Sequence, residues 1–396
     1  MSLSASLDYD FLVPQRIVFG WGRRREVGAL AASLGRRALV VYGSRTLASS
    51  GTVAEIAGLL RASGVEPAAT ELIAHEPEVG DVDRIAAVFR AHRGGAGDLV
   101  LAVGGGAAID LAKAVAAMVT NDQSATVRDY LEGVGRGLEL VHAPLPVLAM
   151  PTTAGTGTEA TKNAVISCYD PPFKKSIRDQ RLIPRIALID PELTVSVPPS
   201  ITAASGMDAI TQLLESYLSR KSQPIPQALA RQGLRMAIPA IVEAVRDGAS
   251  RPAREQMAHA ALLSGMALAN SGLGMAHGVA AALGVHARVP HGAACALMLP
   301  VALRVNRAVC QEDLTRLAHL LFGKGPSTSP DEAADTLIGE IESLCEEVGV
   351  PRRLSEVGVR AEQIPAVVQS SRGSSMSGNP RDISDEELTR ILEELL

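Results

Sequence analysis

Three of the chain's eight histidines lie in one short and otherwise apolar segment, residues 274–292. They are His277, His286 and His291. Histidine is a common metal ligand because a neutral imidazole nitrogen coordinates divalent cations. A histidine in such a segment can equally be a hydrogen-bonded core residue or a polar interruption of a membrane span. The elements that position the three histidines must decide between these interpretations.

The composition is that of an ordinary globular protein, with 47% apolar and 20% charged residues. Its 396 residues exceed what one hydrophobic core usually supports, which predicts two domains. A net charge of -5 provides no basic surface for phosphate backbones, so we expect no nucleic-acid partner. The first residues lack a secretory signal, and we expect a cytoplasmic protein. We interpret the four cysteines as isolated buried thiols in a reducing compartment; they are Cys168, Cys295, Cys310 and Cys345.

One segment without formally charged residues, 256–287, is long enough to be considered as a membrane helix. It also contains polar side chains, several glycines and the histidines His259, His277 and His286. Gly272 and Gly274 predict a break between two helices. Buried core helices explain this composition better than a span. We therefore expect no membrane association.

The first half of the chain alternates apolar runs with stretches of helical periodicity, such as 52–64. Continuous apolar strands separated by helices predict a parallel sheet covered by helices. The strand candidates are 37–43, 98–106, 146–160 and 185–193.

The pattern changes between Pro191 and Pro199, and from Gly206 onward almost only helical periodicities remain. The sequence therefore predicts an α/β domain at 1–195 and an all-helical domain at 196–396.

Two loops rich in glycine and threonine follow predicted strands, "GGG" at 104–106 and "PTTAGTGTE" at 151–159. Glycine lets a backbone approach a pyrophosphate closely, and the start of the following helix offers free N–H groups. Two such loops at the carboxyl ends of parallel strands predict a crevice for a dinucleotide, although the G-x-G-x-x-G fingerprint is absent. The candidate cofactor-binding residues of these loops are Gly104, Gly105, Gly106, Asp110, Thr152, Thr153 and Thr156.

The chain resembles the iron-containing (group III) alcohol dehydrogenase family over nearly its whole length. Five motifs occur in the family's order: "GGGAAIDLAK", "PTTAGTGTEAT", "ALIDPELT", "GMDA" and the region around His277 and His291. The resemblance implies a Rossmann-like α/β dinucleotide-binding domain with a parallel sheet, an all-α C-terminal domain, and a metal and nicotinamide site between them. It also implies a homodimer or a larger homo-oligomer. The dehydroquinate synthases are distantly similar, so the fold alone does not determine the reaction.

The resemblance also implies a set of metal ligands. Family members hold a divalent metal through an Asp, a His four residues later, and two histidines spaced fourteen apart. Here Asp208, His277 and His291 match, whereas Gln212 stands where a histidine is expected. Gln212 lies one helical turn from Asp208 and its amide oxygen can coordinate, but it is a poorer donor than imidazole. We expect these four residues to hold Fe²⁺ or Zn²⁺, with Gln212 as a weak ligand, and interpret His286 as structural.

A second departure from the family is Ala281, where a histidine often reaches toward the nicotinamide. A proton relay must then use water, the cofactor ribose or another side chain. The implied reaction is reversible hydride transfer between nicotinamide C4 and the carbon of an alcohol or aldehyde, catalysed by Asp208, His277 and His291 with a metal that polarises the carbonyl oxygen.

The corner after strand 37–43 bears on the choice of dinucleotide. NAD-preferring relatives tend to carry an Asp there, which binds the ribose 2′-hydroxyl. Gly43, Ser44 and Arg45 include no carboxylate, and Ser44 and Arg45 could bind a 2′-phosphate. We therefore favour NADP(H) over NAD(H), with Lys162 and Lys174 as further candidate cations for cofactor or substrate.

Other functions stay open. A metal-independent reductase of the maleylacetate reductase kind would suit Gln212 and Ala281, but not the retained Asp208, His277 and His291. A lyase of the dehydroquinate synthase type would need a glutamate among its metal ligands and several basic residues for a phosphate substrate. A protein that only binds nucleotides would not require the metal residues. Small aliphatic, hydroxylated and phosphonate-bearing aldehydes all remain candidate substrates.

Overall fold

A six-stranded parallel sheet forms the centre of the N-terminal half. The computed structural model describes residues 8–92, 97–323 and 328–396. The sheet has the order β1-β8-β5-β4-β2-β3, and β6 and β7 form a separate antiparallel hairpin. The strands are β1 (Arg16–Phe19), β2 (Arg37–Gly43), β3 (Glu66–Ile73), β4 (Asp98–Gly104), β5 (Val147–Pro151), β6 (Asn163–Tyr169), β7 (Pro172–Arg178) and β8 (Ile186–Ile189).

Five helices cover both faces of this sheet. Leu39 and Val41 of β2 belong to the core that contains residues of α4 and α5, while Val40 between them belongs to the core on the other face, with residues of α1 and α3. Because both faces are buried, the central strands are continuously apolar, and this confirms the predicted α/β class. The helices are α1 (Val27–Ala32), α2 (Arg45–Ser49), α3 (Thr52–Ala62), α4 (Val79–Ala91) and α5 (Gly106–Thr120).

The strands predicted at 37–43, 98–106, 146–160 and 185–193 correspond to β2, β4, β5 and β8. The hairpin of β6 and β7 was not predicted. Its alternating pattern buries Ile166 and Phe173 against α4 and α5 and leaves other positions half-exposed. Such a pattern is weaker than the continuous apolar runs of the central strands.

The C-terminal half is helical, and none of its described residues after 195 is assigned to a strand. After a short helical turn at Pro191–Thr194, the first long helix starts at Pro199, where the change of pattern was predicted. The helices are α6 (Pro199–Leu218), α7 (Pro224–Arg246), α8 (Arg251–Ser271), α9 (Met275–His286), α10 (His291–Phe322), α11 (Pro330–Glu347), α12 (Ile364–Ser370) and α13 (Asp385–Glu394).

The apolar helices of this half pack inside the protein. The α8 and α9 helices meet at 101° across residues 272–274, which confirms the predicted break. By length and hydropathy α10 could cross a bilayer, and 56% of its most apolar window is buried within the chain. A core helix of a folded protein has these properties as well.

Two glycines allow the close approaches that shape the loops. A Cβ on Gly104, at the end of β4, would lie 2.8 Å from the backbone nitrogen of Gly43. Gly157 has φ +59°, and a Cβ there would lie 2.3 Å from the carbonyl oxygen of Ala261 on α8. The first glycine brings the ends of β2 and β4 together, and the second seats the 151–159 loop directly on the helical half.

Candidate functional site

The two glycine-rich loops line a cavity of about 1090 Å³ beyond the carboxyl ends of β2, β4 and β5. The backbone N–H of Thr152 donates to the carbonyl oxygen of Gly104 at 3.0 Å, which joins the two loops. The α5 helix starts here, and its first N–H groups lack intrahelical acceptors. Seven of the predicted cofactor-binding residues line this cavity: Gly43, Ser44, Gly105, Gly106, Thr152, Thr153 and Thr156.

The remaining predicted cofactor residues lie elsewhere. Gly104 and Arg45 do not line the cavity, and Arg45 is an exposed residue at the start of α2. Asp110, Lys162 and Lys174 border a second cavity instead. Their cofactor contacts stay predictions.

The second cavity, about 1320 Å³, extends from the loops toward the helical half. Its lining includes Gln212, His277 and Ala281. It shares Gly106, Thr156 and His291 with the first cavity, so the two meet at the start of α5. A dinucleotide in the first cavity would therefore have one end at the entrance of the second.

Four side chains converge where the cavities meet, and we call them the Asp208 cluster: Asp208 of α6, His277 of α9, and His291 and Cys295 of α10. One ligand atom from each lies within 4.8 Å of the others. The Oδ1 atom of Asp208 is 3.2 Å from Nε2 of His277 and 4.0 Å from Nε2 of His291. Thus the structure brings together the three residues that the resemblance assigned to a metal.

The cluster leaves polar atoms unsatisfied. Oδ1 of Asp208 and Nε2 of His277 are buried 3.2 Å apart, and beyond this mutual contact neither has a hydrogen-bond partner among the described residues. An unpaired buried polar atom costs about 1–3 kcal/mol, so most such atoms in proteins are paired. A divalent cation between a carboxylate and two imidazoles would satisfy both atoms, and the donor set fits Zn²⁺ or Fe²⁺.

The orientation of His277 depends on Glu215, two turns beyond Asp208 on α6. Oε2 of Glu215 lies 2.7 Å from Nδ1 of His277, and its Oε1 accepts from the backbone N–H of Ala276 at 2.7 Å. A carboxylate behind a histidine holds the ring and directs the other nitrogen toward the metal. Glu215 was not among the predicted site residues, although its helical spacing from Asp208 was visible in the sequence.

Gln212 is tied to its surroundings through its amide nitrogen. Nε2 donates to the carbonyl oxygen of Thr156 and to Oγ of Ser264, both at 2.9 Å. These bonds join α6 to the second loop and to α8. They leave Oε1 as the only atom with which Gln212 could act as the predicted weak ligand.

Cys295 is buried as predicted, but it is not isolated. It lies one turn after His291, with Sγ 3.7 Å from Nε2 of that histidine. Burial raises the pKa of the Cys295 thiol to about 12, so it is protonated when no metal is bound. The spacing of four residues on one helix could have revealed it.

Burial keeps His291 neutral, whereas contacts with Cys295, Asp208 and Glu215 outweigh burial and raise the pKa of His277 well above 6.5 in the metal-free cluster. Burial, together with the nearby Lys174 ammonium, lowers the pKa of His291 to about 4. Lys174 forms an ion pair with Glu76. A neutral imidazole is the form that binds metals.

Lys162 borders the second cavity, and burial, followed by the charge of Arg178, lowers its pKa.

His286 lies outside the cluster. Its Nε2 is 2.7 Å from Oγ of Ser370, so the ring is held by a hydrogen bond, in agreement with the structural interpretation.

Asp110 belongs to a second buried group, which we call the Lys113 network: Asp110, Lys113, Thr158 and Thr161. Nζ of Lys113 donates to the Thr158 and Thr161 hydroxyls at 2.9 Å and to the Thr158 carbonyl oxygen at 3.0 Å. Asp110 accepts from the Thr158 hydroxyl and from the backbone N–H of Val165. Both carboxylate oxygens of Asp110 are therefore bonded within the protein.

Comparison with known proteins places the chain in a family. The sequence model of the family described as iron-containing alcohol dehydrogenase matches residues 14–191. A second family model, described as the C-terminal part of the Fe-containing alcohol dehydrogenase family, matches residues 202–396. Lactaldehyde reductase from Escherichia coli (strain K12) is 33% identical over 377 residues, which cover 94% of this chain and 96% of that protein.

Solved structures of similar proteins support the same family assignment. A 1,3-propanediol oxidoreductase superposes with a TM-score of 0.90 at 31% identity, covering 98% of this chain and 100% of that one. Sulfoacetaldehyde reductase from Bifidobacterium kashiwanohense, solved in complex with NAD⁺, has a TM-score of 0.84 at 29% identity, covering 98% and 99%. The chain belongs to the iron-containing alcohol dehydrogenase family and is an oxidoreductase that interconverts alcohols and aldehydes.

Proposed function

We propose that this chain reduces a short aldehyde with a reduced nicotinamide dinucleotide, and that Asp208, His277 and His291 hold the divalent metal. One observation carries the proposal. Oδ1 of Asp208 and Nε2 of His277 are buried 3.2 Å apart where the loop cavity meets the second cavity, beside His291, and beyond each other they have no hydrogen-bond partner among the described residues.

Each residue of the site has a separate task. A divalent metal supplies Lewis acidity toward the carbonyl oxygen. Asp208 provides negative charge for the cation, and Glu215 holds the His277 ring through Nδ1. Burial keeps the His291 ring neutral and available as a donor.

The two loops would position the dinucleotide. A Cβ on Gly106 would lie 2.7 Å from the Thr156 hydroxyl, so the glycine lets the loops approach each other beside the N–H groups at the start of α5, and Thr152 and Thr153 add hydroxyl donors. With Ala281 in the second cavity, no side chain at that position can carry a proton. The proton then comes from water, the cofactor ribose or another side chain.

NADP(H) is the proposed dinucleotide. The corner at the end of β2 has no carboxylate, and the hydroxyl side chains of Ser44, Ser50 and Thr52 line the cavity beside it. Arg45 does not line the cavity, so any contact with a 2′-phosphate would require its exposed side chain to turn inward. Fluorescence titration should give a lower Kd for NADPH than for NADH, and equal values would reject this preference.

The decisive experiment measures NADPH oxidation against a panel of aldehydes. One preparation is divided between added Zn²⁺ or Fe²⁺ and a chelator. We expect turnover only with metal, and catalytic consumption of NADPH would also exclude a dehydroquinate synthase-type lyase. Turnover that is indifferent to the chelator would favour a metal-independent reductase of the maleylacetate reductase kind.

We also infer two domains, 1–195 and 196–396, a homo-oligomer and a cytoplasmic location. The support for the first is the change from sheet to helices near Pro199. The other two rest on the family resemblance and the composition.

A further inference from the structure

We propose that Cys295 is the fourth protein ligand of the metal, in place of the histidine that this chain lacks at position 212. The inference rests on the proposed function in one respect, because it requires a metal in the Asp208 cluster.

The geometry suits a thiolate ligand. Sγ of Cys295 is 3.7 Å from Nε2 of His291 and within 4.8 Å of the ligand atoms of Asp208 and His277. A zinc ion with Zn–N near 2.0 Å and Zn–S near 2.3 Å has nitrogen and sulfur about 3.5 Å apart at a tetrahedral angle, and such a site can expand to five ligands when a carbonyl oxygen binds. The 3.7 Å separation from His291 is close to this value, and the separations from Asp208 and His277 lie within 4.8 Å.

The backbone holds Cys295 in this place. His291 is the first residue of α10 and Cys295 lies one turn later, so both side chains project from the same face of the helix. Cys295 is 0% exposed, and a buried thiol is protected from solvent. Nearby, Oδ1 of Asp208 and Nε2 of His277 are buried and contact each other at 3.2 Å, so the thiol faces the same small group of ligand atoms.

Charge favours Cys295 over Gln212. The cluster is buried, and an uncompensated charge there is costly. Among the atoms that would contact the cation, Asp208 alone offsets one of its two charges, whereas Asp208 and a thiolate offset both. Coordination replaces the thiol proton, which is released to solvent as the metal–sulfur bond forms. Gln212 is neutral, and its amide nitrogen is already bonded to Thr156 and Ser264.

A sulfur ligand has a consequence for the choice of metal. Thiolates are soft donors and favour zinc over iron, which adds to the general preference of nitrogen and oxygen ligands for Zn²⁺ over Fe²⁺. We therefore expect this chain to retain Zn²⁺ more tightly than Fe²⁺.

The test replaces the metal with Co²⁺ and records the absorption spectrum of the full chain. Wild-type protein should show a sulfur-to-cobalt charge-transfer band in the near ultraviolet together with the weaker visible d–d bands. Cys295→Ser should lose the charge-transfer band, keep the d–d bands and bind Zn²⁺ at least about 100-fold more weakly. Cys310→Ser, a buried thiol on the same helix, is the matched control and should keep the full spectrum.

The outcomes separate the two proposals. Cobalt d–d bands without a charge-transfer band in wild type, or the same band in Cys295→Ser, would overturn the Cys295 ligand and leave the metal site intact. Absence of bound cobalt would overturn both proposals. X-ray absorption at the zinc edge of wild-type protein needs no variant, and a sulfur scatterer at about 2.3 Å is expected. A shell of nitrogen and oxygen alone would overturn the inference.

Discussion

Two groups of polar side chains lie near residues 151–161, and they differ in how many of their polar atoms have hydrogen-bond partners. In the Lys113 network, the ammonium of Lys113 has several oxygen acceptors from Thr158 and Thr161, and Asp110 is fully bonded. In the Asp208 cluster, Oδ1 of Asp208 and Nε2 of His277 contact each other at 3.2 Å and have no further hydrogen-bond partner among the described residues. A satisfied network locks two segments together, whereas an unsatisfied one reserves atoms for a ligand.

Substitutions in the Lys113 network and in the Asp208 cluster should therefore have different effects. Damage to the Lys113 network should lower stability and leave metal content unchanged. Damage to the Asp208 cluster should weaken or abolish metal binding with little loss of stability of the metal-free chain.

The largest effect is expected for Asp208→Ala. Loss of the anionic ligand should remove the metal and its Lewis acidity, a barrier increase of at least about 4 kcal/mol, which corresponds to roughly a thousandfold lower turnover. Steady-state NADPH oxidation and elemental analysis of the protein measure both quantities. Asp335→Ala, at an exposed ion pair with Arg307, is the control and should behave as wild type. Full activity of Asp208→Ala would refute the metal assignment.

Lys113→Met tests the other group. It removes the cation 3.4 Å from the Asp110 carboxylate, which is 13% exposed and keeps its bonds to Thr158 and Val165, so we expect a loss of unfolding free energy below the about 3–5 kcal/mol of a fully buried pair. Urea denaturation followed by circular dichroism should show the loss, while bound zinc per chain stays constant. Lys175→Met on β7, whose side chain has no ion pair among the described residues, should unfold like wild type. Unchanged stability of Lys113→Met would mean that the network is not a structural lock.

Glu159, whose pKa responds to the charge of Lys113, links stability to pH. Burial raises its pKa from 4.5 to about 7. Between these values the folded chain holds a proton that the unfolded chain has released, so stability falls as the pH rises. Relative to wild type, Glu159→Gln should gain up to about 3 kcal/mol between about pH 5 and about pH 8. Thermal unfolding at both pH values measures the gap, and a pH-independent gap would contradict the assignment.

The smallest effect is expected for Glu215→Gln. The amide oxygen can still accept from the N–H groups at the start of α9, but the carboxylate behind His277 is lost. Removal of such a partner typically weakens metal binding about 10–100-fold. Competition with a chromophoric chelator gives the Kd for Zn²⁺. Affinity equal to that of wild type would show that Glu215 only caps the helix.

Local sequence patterns predicted the main secondary-structure elements of the molecule. The apolar runs of β2, β4 and β5 indicated a parallel sheet because buried strands need no alternation. The glycines at 272 and 274 indicated the bend between α8 and α9. The hairpin of β6 and β7 was missed because its half-buried alternation is a weak signal.

The sequence by itself determined the element order, the glycine-rich loops at the strand ends, and the residues Asp208, His277 and His291 that mark the family. Only the tertiary structure decided which of their neighbours share the site. Glu215 meets His277, 62 residues away, and Thr158 meets Asp110, 48 residues away. Periodicity reports which face of an element is buried, but not which distant side chain meets it. Cys295 shows both: its spacing from His291 was visible in the sequence, and its nearness to Asp208 and His277 was not.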